Sequence, residues 1–282
     1  MKILVTGGAG FIGSALIREL LLNADHEIIN LDALKYAGNL NSIPSAENYK
    51  NYHFELCDIC DQHAVDSLFE KYEPNLVMHL AAESHVDRSI ESPRQFIETN
   101  IIGTFNLLNS ALNVYRKNKN QADYFFKFHH ISTDEVYGDL GDSKQLFEEY
   151  SSYNPSSPYA ASKASSDHLV RSWGRTYNFP YVITNCSNNY GPYQFPEKLI
   201  PNTIIKALTG NDISVYGDGS QIRDWLYVDD HIKAIMRVAL EANDAESYNI
   251  GGYNEIKNID VVNAICKILD SKVTNKPNSL AS

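Results

Sequence analysis

Lys2-Ile3-Leu4-Val5-Thr6-Gly7-Gly8-Ala9-Gly10-Phe11-Ile12-Gly13 is the run whose reading decides the fold. Residues 2–6 form an apolar run suited to a buried strand. The glycines satisfy G-x-G-x-x-G counted from Gly8 and G-x-x-G-x-x-G counted from Gly7. Gly7 and Gly10 permit a tight turn and close backbone approach to a pyrophosphate. Gly13 lets the next helix, expected over residues 14–22, pack on the strand. That helix's N-terminus favours phosphate charge. Such glycines alone are a weak signal, but a second strand, Glu27-Ile28-Ile29-Asn30-Leu31-Asp32, supplies the context the motif needs. Asp32 falls where a carboxylate grips the adenosine ribose and would repel a 2′-phosphate, so NAD is expected over NADP.

Working outward, a third strand, Tyr52–Leu56, runs into Asp58-Ile59, positioned to flank an adenine. A fourth, over residues 75–80, opens onto Ala81-Ala82-Glu83-Ser84-His85, whose alanines allow a cofactor, or ordinary packing, to come close. Residues 94–116 read as one long helix, with apolar positions at Phe96, Ile97, Ile101, Phe105, Leu108 and Leu112. The aromatic run Tyr124-Phe125-Phe126-Lys127-Phe128 reads as a buried strand leading into Ile131-Ser132-Thr133-Asp134-Glu135-Val136-Tyr137-Gly138. This strand ends in a hydroxyl and two adjacent carboxylates, and open parallel sheets bind ligands beyond their strand ends. Pro158 suits a helix start, and Tyr159 and Lys163 then lie one turn apart on the same face of a helix over residues 160–177. An ammonium near a phenol favours the phenolate and lowers its pKa. Thr133, Tyr159 and Lys163 are thus suited to oxidising an alcohol, with Asp134 and Glu135 as a further acid and base. A solvated loop is the plain reading of Asp-Glu; the Tyr-x-x-x-Lys pair and the glycine run favour the functional one.

A sixth strand, Tyr181–Cys186, is followed by Ser187-Asn188-Asn189-Tyr190-Gly191-Pro192, where the alternation with helices lapses. The expected architecture is α/β: a Rossmann-like doubly wound parallel sheet with a smaller C-terminal substrate-binding lobe. Residues 1–186, with 224–245 returning, form the NAD-binding part; residues 187–223 and 246–282 form the lobe. Helices are expected over 231–242 and 260–269, a strand and turn at Tyr248-Asn249-Ile250-Gly251-Gly252, and a polar tail over 271–282.

The chain has 282 residues, 43% of them hydrophobic, enough for a sizeable core. Its formal charge of −11 argues against nucleic acid or an anionic membrane as partner. The opening strand leaves no room for a signal peptide and no apolar run reaches the length of a membrane span, so a cytoplasmic location is expected. Cys57-x-x-Cys60, flanked by His53 and His63, raises a metal site; it reads better as a strand end running into a helix, and no metal is expected. Cys186 and Cys266 read as packing residues.

Taken together the motifs resemble the extended short-chain dehydrogenase/reductases, and within them the nucleotide-sugar 4,6-dehydratases. The matching runs are Gly7–Gly13, Leu80-Ala81-Ala82-Glu83-Ser84-His85-Val86-Asp87-Arg88-Ser89, residues 132–138, Tyr159-Ala160-Ala161-Ser162-Lys163, residues 185–193, residues 195–201 and residues 221–228. The glycine run and the Tyr–Lys pair identify only the superfamily; Thr133-Asp134-Glu135 and Asn188-Asn189 are more specific. The resemblance implies a closed redox cycle on dTDP-glucose. Tyr159, aided by Thr133, takes the C4 hydroxyl proton as hydride passes to NAD. Glu135 removes the acidified C5 proton and Asp134 protonates the departing C6 hydroxyl. Return of hydride to C6 and of a proton to C5 leaves a 4-keto-6-deoxy sugar. It further implies a cofactor set of Gly7, Gly10, Phe11, Ile12, Gly13, Asp32, Asp58, Ile59, Ala81, Ala82, Thr99, Tyr159, Lys163 and Asn189. The implied substrate contacts are Ser84, Thr133, Asn188, Lys198, Leu199, Arg223 and Asn258, with Lys198 and Arg223 suited to a pyrophosphate. A homodimer through the helices over 94–116 and 160–177 is expected. Relatives continue past the helix over 260–269 with a Pro-Gly-His-Asp run; this sequence has none, so an incomplete lobe with weakened substrate binding is expected.

Two further enzymes share this framework. A nucleotide-sugar 4-epimerase would use the same Tyr–Lys pair but needs no acid–base pair for elimination, and a dehydratase acting on UDP-glucose differs only in reading the base. A non-enzymatic dinucleotide-sensing module need not keep Tyr159, Lys163 and Thr133–Glu135 together.

Overall fold

A computed structural model describes residues 1–22, 24–141 and 146–272. The expected polar tail lies, from residue 273 on, outside these residues. The strands are β1 (Lys2–Thr6), β2 (Glu27–Asp32), β3 (Tyr52–Leu56), β4 (Leu76–His79), β5 (Lys127–Thr133), β6 (Tyr181–Cys186), β7 (Asn188–Tyr190), β8 (Ile222–Tyr227), β9 (Glu246–Ile250) and β10 (Glu255–Lys257). Among the described residues, seven form one sheet in the order β3-β2-β1-β4-β5-β6-β9, with every neighbouring pair parallel. The order reverses between β1 and β4, which opens a crevice beyond their C-terminal ends.

The sequence explains this core. β4 and β5 are buried along their whole length, as strands covered by helices on both faces must be. Phe69, Val77, Leu108, Phe128 and Ile183 form one continuous apolar cluster with their neighbours. Lys127 starts β5 and is buried too, its ammonium donating to the Ala242 carbonyl at 2.5 Å. The aromatic residues 124–126 precede this strand rather than opening it. The helix Pro158–Tyr177 begins where Ser157 accepts from the Ala160 amide (3.1 Å) and ends at Asn178 in the left-handed conformation.

The chain divides into two compact units. The first is Met1–Cys186 with His231–Ile250; the second is Ser187–Asp230 with the residues from Gly251 on. In the second unit β8 pairs with β7 in parallel and with β10 antiparallel, and the helices Leu199–Thr209 and Asn258–Lys272 pack together.

Three expectations need correction. Residues 246–250, assigned to the lobe, form β9 and extend the large sheet beside β6, and residues 224–230, assigned to the cofactor part, belong to the second unit, most of them in β8; five residues at an edge carry too little pattern to name their partner. The helix after the glycine turn is Phe11–Leu20, starting earlier than expected because backbone rather than a side chain opens it. Residues 94–116 are not one regular helix: Pro93–Phe96 passes through a π-helical stretch, Ile97–Gly103, into Thr104–Asn118. Within the wide π turn the buried Asn100 side chain accepts from the Glu83 amide (2.8 Å) and donates to the Glu83 carbonyl (3.0 Å) and the Ser162 hydroxyl (2.8 Å). A π-bulge marks such side-chain demands.

Candidate active site

The glycine turn is held from both sides. Gly7 has φ +72°, donates to the Leu31 carbonyl (2.8 Å), and a Cβ there would lie 2.7 Å from the Ala81 amide nitrogen. A Cβ on Gly13 would come within 2.1 Å of the Gly7 carbonyl oxygen. Only glycine meets both demands. The helix Phe11–Leu20 opens at Gly10 with no side-chain cap and no acidic residue in its first turn. The amides of its first turn therefore suit an anion.

Asp32 ends β2 and is almost buried. Its Oδ2 accepts from the Ala9 amide (2.9 Å) and its Oδ1 from the Leu34 amide (2.8 Å). Burial raises its carboxyl above the ordinary value, with both amides pulling the other way. Each oxygen keeps a lone pair for a hydroxyl. Lys35 gathers the next group: Asp58 at 3.3 Å, Glu83 at 3.9 Å and the Thr99 hydroxyl at 3.4 Å. Burial opposes ionisation of Asp58, but the Cys60 amide and Lys35 outweigh it and its carboxyl lies below the ordinary value. Ile59 is buried beneath Gly103. Ala81 donates to the Thr6 hydroxyl (3.2 Å) just past β4, with Ala82 beside it. An uncapped helix start, a doubly anchored acid at the second strand end and small residues after β4 together fit a dinucleotide.

The catalytic candidates meet at the end of β5. Thr133 donates to Asp134 Oδ1 (3.3 Å) and accepts from the Glu135 amide (3.3 Å), and its hydroxyl is close enough to the Tyr159 phenol to influence its ionisation. Asp134–Tyr137 make one 3-10 turn that closes on Gly138 (φ +91°), where a Cβ would lie 2.3 Å from the Asn154 carbonyl oxygen. Tyr159 meets Phe96 edge-on at 6.3 Å. Lys163 is buried and donates to the Ile131 carbonyl (2.9 Å).

One expectation reverses here. The Tyr159 phenol lies well above its ordinary value, not below it. Burial is the main cause, and Glu135, Cys186 and Asp134 add to it; the nearby Thr133 hydroxyl pulls the other way. Lys163 is spent on a backbone carbonyl, and its own pKa falls because it is buried, with Asp167 opposing. Desolvation outweighs a charge that is not aimed at the phenol.

The remaining candidates divide between the units. Ser84 belongs to the first, on the segment that Asn100 holds. Asn188, Asn189, Lys198, Leu199, Arg223 and Asn258 belong to the second. There Asn188 and Asn189 lie on β7, Lys198 precedes the helix beginning at Leu199, and Arg223 lies on β8 opposite Ile256. Asn258 donates its backbone amide to Gln221 (2.9 Å), while its buried Oδ1 has no protein partner.

Cys57 and Cys60 turn to different carbonyls, those of Asp58 and Glu98, and burial pushes both thiols up to about 11. No cluster of three or more metal-ligating side chains occurs among the described residues. Nor, among them, is any helix long and apolar enough to cross a membrane.

The sequence reading missed Lys35, Asn100, Asn185 and Asp167. Asp167 left a signal, since it continues the four-residue spacing of Tyr159 and Lys163. Asn100 left none, because nothing in a helical pattern marks a π turn.

The family model described as GDP-mannose 4,6 dehydratase matches residues 4–280. The chain belongs to this family. One member, the dTDP-glucose 4,6-dehydratase of Escherichia coli, is 56% identical over 288 residues, spanning 99% of this chain and 80% of that protein. Among solved structures, the dTDP-glucose 4,6-dehydratase of Bacillus anthracis in complex with NAD matches with a TM-score of 0.84 at 42% identity, over 95% of this chain and 81% of that one. The same enzyme from Streptomyces venezuelae, also with NAD bound, gives 0.88 at 41% identity over the same shares.

Proposed function

We propose that this chain catalyses the NAD-dependent dehydration of dTDP-glucose to dTDP-4-keto-6-deoxyglucose. The observation that carries the reading is the junction at the end of β5, where Thr133 holds Asp134 and the Glu135 amide and all three bear on the ionisation of the Tyr159 phenol. One alcohol-oxidising group and one acid–base pair stand at a single strand end. The identity to dTDP-glucose 4,6-dehydratases supports the substrate.

Bound NAD supplies the hydride acceptor and donor. Tyr159 takes the C4 hydroxyl proton, with the Thr133 hydroxyl orienting the oxygen and Lys163 one turn along the same helix. Oxidation at C4 acidifies the C5 proton, which Glu135 removes, and Asp134 protonates the leaving C6 hydroxyl. The glycine turn, Phe11, Ile12, Asp32, Asp58, Ile59, Ala81, Ala82, Thr99 and Asn189 bind the dinucleotide. Ser84, Asn188, Lys198, Leu199, Arg223 and Asn258 bind the sugar nucleotide. The first unit is then the cofactor domain and the second the substrate lobe. The active form is a cytoplasmic homodimer joined through the helical residues 94–116 and 160–177, where Ile97, Ile102, Phe105 and Tyr177 are exposed.

The test is incubation with NAD and dTDP-glucose, then reading the alkali chromophore of a 4-keto sugar. A chromophore formed faster from dTDP- than from UDP-glucose is the expected result. Formation of dTDP-galactose without it would mean a 4-epimerase, and no turnover at all a binding module.

A further inference from the structure

The helix Pro158–Tyr177 carries Tyr159, Lys163, Asp167 and Arg171 at intervals of four, one face of a helix. Asp167 is fully buried. Its Oδ2 accepts from the Tyr153 hydroxyl at 2.7 Å and from Asn185 Nδ2 on β6 at 3.3 Å, while its Oδ1 lies 3.1 Å from His130 Nε2 on β5 without a hydrogen bond between them. A buried carboxylate is costly unless donors and nearby positive charge compensate it. Asn185 Nδ2 also donates to the Thr133 carbonyl (3.1 Å), so one amide ties Asp167 to the residue whose hydroxyl donates to Asp134. Lys163, one turn before Asp167, has the Ile131 carbonyl as its protein partner, a neutral acceptor.

We propose that Asp167 is a positioning residue that keeps the buried Lys163 in its ammonium form and, through Asn185, fixes the Thr133 end of β5 against the catalytic helix. This rests on reading Tyr159 and Lys163 as the working pair. The surroundings leave few other sources of compensating charge. Cys186, His79 and His130 face Lys163 from β6, β4 and β5, and Tyr159 shares its helix. Tyr137, Tyr153 and Arg171 surround Asp167. Burial pushes His130 down to about 4 and holds His79 well below its ordinary value, so both are neutral at working pH; burial raises Tyr137 and Tyr153, so they are neutral too. Arg171 is spent on the Tyr153 hydroxyl (2.9 Å) and Ser247 (3.0 Å). Burial lowers the Lys163 pKa, and the Asp167 carboxylate is the first opposing influence.

The experiment is the pH dependence of turnover and of NAD affinity in the holoenzyme, wild type against Asp167→Asn and Asn185→Ala. Asp167→Asn keeps size and removes charge; the alkaline limb should move to lower pH by about one unit or more, with KM for the sugar nucleotide little changed. Asn185→Ala keeps the charge and cuts the bridge; kcat should fall about tenfold with the limb where wild type has it. If Asp167→Asn only lowers Tm and turnover equally at every pH, the proposal is overturned. Should that variant fail to fold, the 15N resonance of Lys163 in the wild-type holoenzyme, assigned through Lys163→Arg, decides. An ammonium persisting above pH 9 supports the proposal, and one lost below pH 7 sinks it. Undiminished turnover in Lys163→Ala would instead overturn the working pair, and the Lys163 titration would still judge its relation to Asp167.

Discussion

Asp32 does two tasks with one side chain: its oxygens pin the glycine turn through Ala9 and the following bend through Leu34. Hydrogen bonds to a charged group contribute about 1.5–3 kcal/mol each. Asp32→Ala should therefore weaken NAD binding roughly tenfold to a hundredfold, read by fluorescence titration, and should narrow the preference for NAD over NADP. Equal wild-type affinity for the two dinucleotides would refute the assignment. At the β5 end the roles separate by half-reaction. Tyr159→Phe should abolish NADH formation on mixing with dTDP-glucose. Glu135→Gln should let NADH accumulate, because oxidation at C4 proceeds while elimination stalls. Equal loss of the NADH signal in both variants would contradict this division. The residue types at these positions were legible from the sequence. The state of Tyr159 was not, because burial and the facing carboxylates set it, and neither has a signature in a four-residue spacing.

At the scale of the element, β5 places His129 and His130 in the middle of the sheet, and the helix Val228–Glu241 places His231 against the core. Burial is the first cause in each case, pushing His129 to about 3 and His130 and His231 to about 4. The unfolded chain binds protons at these imidazoles below about pH 6.5 while the folded chain does not, so folding stability falls as pH drops from there toward 4. Each group is worth roughly 1–3 kcal/mol over that window. Thermal melts should show Tm falling steeply between pH 6.5 and 4.5, and His231→Gln should flatten the slope. A constant Tm across the window would rule this out. β1, β2, β3 and β6 have the boundaries their sequences indicate. The π stretch Ile97–Gly103 is different: it forms because Asn100 must reach Glu83 and Ser162, partners 17 and 62 residues away.

At the scale of the whole molecule, the open question of surface is the apolar face around Phe105, which meets Trp173 edge-on at 5.9 Å while remaining partly exposed. Contiguous apolar surface of this kind is normally covered. Sedimentation at micromolar concentration should show a dimer, and Phe105→Asp should shift it toward monomer. A wild-type protein sedimenting only as monomer would remove the proposed assembly. What the sequence determined by itself was local: a strand, a glycine turn, a helix and an acid at the right interval, and a hydroxyl–acid–acid run with Tyr-x-x-x-Lys further on. These are legible because neighbours in the chain supply most of the physics. Tertiary structure alone decided that residues 246–250 complete the large sheet, that Asn100 and Asn185 bridge segments far apart, and that Asp167 stands buried behind Lys163. Such features depend on which distant groups share a low-dielectric interior, where an unpaired polar atom is costly, and no interval along the chain records that.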